Sequence, residues 1–168
     1  MKNLTFEQLN TPDALQIVRD IAADIWPKTF SNILSREQIV YMMEMMYAPA
    51  VMEKELADGY RFEIIRVDDI PAGYMVWSAY PAHPGTAKLH KLYLLQEYHR
   101  QGIGSAMLTH VAARAEAAGF SRLRLNVNKN NEAAKRSYLR NGFSTVESVK
   151  IDIGNGFFMD DFVMEKAL

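Results

Sequence analysis

The 168-residue chain contains no cysteine. That excludes a disulfide framework, a thiolate nucleophile and a cysteine-ligated metal centre. An excess of one charge is also missing: 19 Lys and Arg face 20 Asp and Glu, for a net charge of −1. A general nucleic-acid binder would carry a basic excess, so nucleic acid is not an expected partner. No apolar run approaches the ~20 residues of a membrane span. The segment Met1 to Asp13 lacks the apolar stretch of a signal peptide, which makes a cytoplasmic location the expectation. Repeats, low-complexity tracts and Ser/Gly linkers are absent as well. The length then predicts a single domain over residues 1–168.

What the chain does hold is an ordinary globular balance, 49% hydrophobic and 23% charged. Leu4 and Phe6 alternate with polar residues and predict a short first strand. Thr11-Pro12-Asp13 reads as a helix start, and Leu15, Val18, Ile21 and Ile25 share one face of that helix, with Trp26-Pro27 as its expected end. Ser35 and Gln38 form a capping box ahead of Ile39, Met42, Met43 and Met46. Val51 to Ala57 predicts more helix. Five of the ten methionines lie between Met42 and Met52, as core packing or as the adaptable wall of a substrate pocket.

From Tyr60 the period changes to two. Phe62, Ile64 and Val67 predict a strand, Asp68 to Gly73 a turn, and Tyr74 to Tyr80 the second strand of a hairpin. Leu89 to Leu94 predicts a third strand. Gly102-Ile103-Gly104 opens a helix whose inner face is Ile103, Met107, Leu108, Val111 and Ala115, and Gly119 closes it. Leu123, Leu125 and Val127 alternate as a strand. Asn131 caps a short helix to about Arg140, and Val149 to Ile153 and Phe158 to Lys166 form a final hairpin across Gly154-Asn155-Gly156. These alternations predict a mixed α/β or α+β domain.

A strand, a glycine turn and a helix start make an anion site, because the first helical N–H groups are unpaired and glycine admits a phosphate close to the backbone. Here the unit reads Tyr98-His99-Arg100-Gln101-Gly102-Ile103-Gly104-Ser105-Ala106. A P-loop needs Lys-Ser/Thr after its last glycine, and Ser105-Ala106 stands there instead. A dinucleotide fingerprint needs a third glycine, and Met107 occupies that place.

The unit resembles the acetyl-CoA site of the GNAT family of N-acetyltransferases. Leu92-Tyr93-Leu94, Glu97-Tyr98 and Gln101-Gly102-Ile103-Gly104 are similar to its strand and its Q/R-x-x-G-x-G/A loop. Val127, Asn131, Ala134, Tyr138 and Gly142-Phe143 match its V-x3-N-x2-A-x3-Y-x3-G-F run. The two blocks span Lys88 to Phe143, and the closing segment Asp161 to Lys166 also looks like the family's last strand. One departure is His99, where the family has Gln or Arg three residues before the first loop glycine.

The resemblance implies a fold and a set of roles. The fold would be a mostly antiparallel, twisted sheet of six to seven strands with a V-shaped splay, flanked by four to five helices. Acetyl-CoA would be the cosubstrate, with no metal; the spacing of His83 and His110 suggests none either. The loop from His99 and Arg100 through Gln101, Gly102, Ile103, Gly104 and Ser105 would hold its pyrophosphate, chiefly through N–H groups from Gln101 to Ser105. Leu92, Tyr93 and Leu94 would offer strand backbone to the pantetheine arm, beside Asn131 and Ala134. Asn131 serves equally as a helix N-cap.

Tyr138 would give a proton to the leaving thiolate, or else simply pack beside Phe143. For the amine's proton the candidates are His90, an early glutamate such as Glu63, or a water chain. Lys88, Lys91, Arg100, Lys129, Lys135 and Arg136 cluster in sequence around these blocks, facing a CoA phosphate or solvent. The acceptor pocket is expected between the first helices and the final hairpin, with Trp26, Phe30, Tyr41, Tyr47, Phe157, Phe158, Asp160 and Asp161. Aromatic walls with carboxylates suit a cationic amine, and the hairpin looks most like those of bacterial small-molecule or polyamine acetyltransferases. A protein N-terminus or lysine is the other acceptor class, and a non-catalytic acyl-CoA-binding or sensing module the other function. Many folds of this type dimerise, so a homodimer is a partner the resemblance allows.

Overall fold

The computed structural model describes residues 2–168. One seven-stranded sheet runs through it in the order β1-β2-β3-β4-β5-β7-β6. Its strands are β1 (Leu4–Leu9), β2 (Arg61–Val67), β3 (Ile70–Ala79), β4 (Thr86–Leu94), β5 (Arg122–Asn128), β6 (Ser144–Gly154) and β7 (Phe157–Ala167). Every neighbouring pair is antiparallel except β4 and β5. Five α-helices cover the sheet: α1 (Gln16–Phe30), α2 (Arg36–Tyr47), α3 (Pro49–Ala57), α4 (Ile103–Ala117) and α5 (Glu132–Arg140). The mixed α/β architecture with its splayed, mostly antiparallel sheet is the expected one.

Each face of the sheet has its own core. Ile65, Met75, Trp77, Leu89, Leu123 and Leu125 meet Met107, Leu108 and Val111 of α4 on one face. Phe62, Ile64, Tyr74 and Val76 meet α1, α2 and α3 on the other. The alternation of β2 and β3 supplies both, because successive side chains point to opposite faces.

Several local expectations differ from the structure, among them β6, which starts at Ser144 rather than Val149. Pro27 does not end α1, which runs on to Phe30. A proline here removes one hydrogen bond, but the buried stack of Trp26 on Phe30, with centroids 4.4 Å apart, anchors the last turn. The β2–β3 turn is shorter than Asp68 to Gly73. Asp68 and Asp69 both take positive φ (49° and 68°), giving a two-residue hairpin turn, so β3 starts at Ile70. The third strand is longer and starts at Thr86.

Candidate active site

The site begins with an irregularity in β4. Trp77 of β3 faces Leu89 and Val76 faces Lys91, so His90 is an extra residue in the ladder, a β-bulge. Pairing of β4 with β5 covers only Thr86–Leu89 against Arg122–Leu125. Beyond the bulge the two strands separate, while Asn126, Val127 and Asn128 continue to pair with β7. A wedge therefore opens between residues 90–94 and 126–128, with one row of backbone groups unpaired along each edge. A bulge bends its strand and increases local twist, which accounts for the divergence starting where it does.

At the wide end of the wedge stands the glycine loop. After a 3-10 turn at Gln96–Tyr98, Arg100 and Gly102 both adopt positive φ (61° and 77°) and α4 begins at Ile103. Gly102 supplies no side-chain cap. Ala106 is the first residue of the helix whose N–H bonds to a carbonyl, that of Gly102 at 3.1 Å. Among the described residues the N–H groups from Gln101 to Ser105 have no partner, which leaves them for a ligand, and the helix dipole adds partial positive charge there. A Cβ built on Gly102 or Gly104 would meet nothing within 4 Å, so the glycines leave an open cradle. This donor set fits a pyrophosphate without any cationic side chain.

Side chains of the loop hold its shape. The His99 ring bonds the Leu94 carbonyl at 2.8 Å and so ties the loop to the end of β4. The departure at His99 thus has a positioning role in this chain. Gln101 donates to the Glu97 carbonyl (3.1 Å) and accepts from Lys2 (2.6 Å). Ser105 accepts from Asn141 at 3.1 Å, linking α4 to the end of α5. Asn131 caps α5 by accepting from the Ala134 N–H at 3.3 Å, which puts Ala134 and Tyr138 against the α4-side core. Gly73 of β3 faces Leu94 of β4. A Cβ there would collide with the Tyr93 carbonyl, and only glycine lets the strands sit this close.

Two tyrosines border the wedge from opposite faces. Tyr138 stands on the α4 side with its ring 5.8 Å from Phe143. Burial pushes its hydroxyl up to about 12, so it carries its proton at neutral pH. Tyr93 stands on the other side, against Trp26, Phe30 and Tyr74. Burial raises its hydroxyl well above the usual value, reinforced by Tyr47, Tyr138 and Asp161. Asp161 is 3% exposed and its carboxyl is raised, first by burial. The sequence pointed to the Tyr93 backbone but not to its side chain, whose place beside Tyr74 is set by the β3–β4 register.

The candidate bases separate in space. Glu63 is fully engaged on the α4 face, accepting from Trp77 (3.0 Å) and His110 (2.8 Å). His90 sits at the bulge, 2.8 Å from Ser78 Oγ and stacked on Tyr60 at 4.5 Å. Burial, with Lys88 and Lys91 nearby, lowers its imidazole to about 3. The ring is neutral at pH 7. Lys91 is also buried. Its ammonium lies over Tyr47 at 4.5 Å, donates to the Met46 carbonyl and pairs with Glu55 at 3.7 Å. Lys129 and Lys135 pair with Asp160 (2.8 Å) and Glu132 (2.7 Å). Of the basic residues gathered by sequence, Lys91 therefore turns toward Tyr47 of α2 and Glu55 of α3, and Arg100 lies exposed at the loop.

The first helices do meet the final hairpin. Tyr41 donates to the Ile153 carbonyl at 2.6 Å and Gln38 to that of Phe158 at 2.7 Å. Trp26, Tyr47 and Tyr74 form a buried hydrogen-bonded trio, 3.0 Å and 2.6 Å apart at their polar atoms. The methionines divide: Met42 and Met52 are core, and Met43, Met45 and Met46 pack partly buried against it. An open basin of about 610 Å³ lies at the far end of β4 and β5, lined by His83, Arg122, Arg124 and Glu147. It is remote from the wedge, and Arg124 is occupied there by Glu165 (2.9 Å) and Glu147 (3.1 Å).

Comparison with known proteins agrees with this geometry. The model of the Acetyltransferase (GNAT) family matches residues 16–143. An uncharacterized N-acetyltransferase of Mycobacterium tuberculosis is 36% identical over 149 residues, covering 88% of this chain and 94% of its own; one from Mycobacterium bovis is equally similar. Among solved structures, the PaiA N-acetyltransferase of Thermoplasma acidophilum in complex with coenzyme A superposes with a TM-score of 0.81 at 23% identity over 99% of both chains. The ribosomal-protein-S18-alanine N-acetyltransferase of Escherichia coli gives 0.72 at 18% identity, over 98% of this chain and 94% of its own. The wedge, the glycine loop and the matched span together make the chain a member of the GNAT family, an N-acetyltransferase.

Proposed function

We propose that the chain transfers the acetyl group of acetyl-CoA to the primary amine of a small molecule, polyamines being the favoured class. The observation that carries the donor half is the termination of β4–β5 pairing at Leu89 with the unpaired N–H groups of residues 101–105 at its mouth. Those groups would hold the pyrophosphate and the free edge of Leu92, Tyr93 and Leu94 the pantetheine arm. When bound, acetyl-CoA supplies an acetyl thioester to the narrow end of the wedge. An unpaired N–H of β4 there polarises the thioester carbonyl. Tyr138, protonated at neutral pH, gives its proton to the departing sulfur. His90 would act as a relay at the bulge. A ring that gains a proton only near pH 3 is a poor store, but it can accept at one nitrogen while giving at the other.

The preference for a small acceptor rests on the bridges from Tyr41 and Gln38 to both strands of the final hairpin. Such bridges would narrow the acceptor side against an extended peptide chain. An amine panel tests the reading by following CoA release with polyamines, amino acids, aminoglycosides and a lysine peptide. Release with small amines and not with the peptide is the expected result. Release with the peptide alone would reassign the acceptor to proteins. No release for any amine, with acetyl-CoA still raising the melting temperature, would reassign the chain to a binding or sensing module.

A further inference from the structure

Asp161 lies on β7 opposite Asn128 of β5 and Val149 of β6. The alternation of β7 sets its direction. Phe162 and Met164 join the core under α4, so Asp161, Val163 and Glu165 take the other face, where Glu165 meets Arg124. That places the carboxylate on the α1–α3 face of the sheet, one strand beyond the β5 edge of the wedge and close enough to Tyr93 for its charge to act on that hydroxyl.

The carboxylate is 3% exposed and has no cation within 4 Å among the described residues. Lys129 is taken by Asp160 at 2.8 Å, and the Lys88 ammonium lies over the Tyr80 ring at 5.4 Å. Asn126 is the side chain nearby that favours its charged form. Buried carboxylates are almost always paired, because desolvating an anion is costly. This one lacks its cation, and it neighbours Tyr93 at the border of the wedge.

Building on the acetyl-transfer reading, we infer that Asp161 docks the ammonium group of an alkylamine acceptor and takes its proton. The ammonium gives one proton to the Asp161 carboxylate, and its freed lone pair forms the N–C bond as the C–S bond breaks. The sulfur takes the Tyr138 proton. The nitrogen loses its second proton to solvent, which restores Tyr138, and Asp161 returns the first, so one proton is released per turnover. Docking requires the ionised carboxylate. Burial and Asp160 raise its pKa, while Asn126, Lys88 and Lys129 oppose the rise; the neighbouring Tyr93 stays neutral. Activity toward alkylamines should therefore fall on the acid side as Asp161 protonates.

The test compares wild type with Asp161→Asn and Asp161→Glu, using an alkyl diamine and an arylamine that is neutral at pH 7. Asp161→Asn should lower kcat/KM for the diamine by about 100-fold or more, within the range of a positioned acid–base group. The arylamine should keep its rate, Asp161→Glu should recover part of the loss, and the acid limb of the diamine profile should vanish in Asp161→Asn. The thermal shift given by CoA should be the same in all three proteins. Equal losses for both amines, or undiminished diamine turnover in Asp161→Asn, overturn the proposal while leaving acetyl transfer intact. A wild type that acetylates neither amine overturns the small-amine reading and this inference with it.

Discussion

Replacing Tyr138 by Phe is the sharpest probe of the donor half of the reaction. The ring's edge contact with Phe143, at 5.8 Å, does not involve the hydroxyl, so packing and melting temperature should be unchanged. The size of the kinetic effect follows from proton affinities. A free thiol loses its proton near ~8.5, whereas burial sets the Tyr138 hydroxyl at about 12. Full transfer from Tyr138 to a finished thiolate is uphill by ~5 kcal/mol. The hydroxyl therefore helps only while charge is still developing on sulfur, and its contribution belongs at or below the low end for general acids. We expect kcat to fall about 10- to 100-fold, ~1.4–2.7 kcal/mol of barrier. KM for acetyl-CoA should hold steady, because the loop N–H groups and the strand edge carry its binding. Steady-state kinetics with the best amine, read as kcat and KM separately from pH 6 to 9, decides it. Unchanged kcat across that range would refute the assignment, and so would a large rise in the acetyl-CoA KM with kcat intact.

Gly154→Ala should cost about 1–2 kcal/mol of stability, because its φ of +92° is strained for alanine and the new Cβ would lie 2.6 Å from the Tyr41 hydroxyl, displacing its bond to Ile153. In kinetics it should raise KM for the amine and spare acetyl-CoA binding. His90→Gln should flatten the acid loss of stability. The unfolded imidazole takes a proton near 6.5 and the native one only near about 3. Between those values the unfolded state binds more protons, so stability falls as pH falls. Over pH 7 to 5 that amounts to ~2 kcal/mol, measurable as a difference in urea midpoints; an unchanged pH slope in the variant would show that His90 is not the group responsible.

The two cores and the glycine loop were legible because each rests on local chemistry. Leu123, Leu125 and Val127 alternate, Gly102 needs a positive φ, and Asn131 finds the Ala134 N–H three residues on. The Asp161–Tyr93–Tyr138 grouping was not. It joins two strands and a helix through residues more than 20 positions apart, and its members meet only because β7 inserts between β5 and β6. The fate of Lys91 was hidden for a similar reason. In sequence it stands among basic residues near the loop, yet the strand turns it toward Tyr47 and Glu55. Pro27 misled because its local penalty is small beside the packing of Trp26 and Phe30.

The bulge at His90 was written in the sequence in a form that is easy to pass over. Leu89, Leu92 and Leu94 all pack on the α4 face, a spacing of three and then two. An unbroken strand allows only twos, so one residue between Leu89 and Leu92 had to be extra. Deleting His90 would leave Leu89, Lys91, Leu92, Tyr93 and Leu94 in strict alternation, each still on its present face and opposite its present partner in β3. The deletion variant should therefore fold. What it should lose is the bend that parts β4 from β5, since pairing ends at Leu89, next to the bulge. With the strands free to pair beyond Leu89, the wedge closes. The variant should melt cooperatively but gain no stability from acetyl-CoA and release no CoA, although Tyr138 and the glycine loop are untouched. Undiminished stabilisation by acetyl-CoA in that variant would mean that the splay is held open by something other than the bulge, with the packing of α5 on the sheet as the remaining candidate.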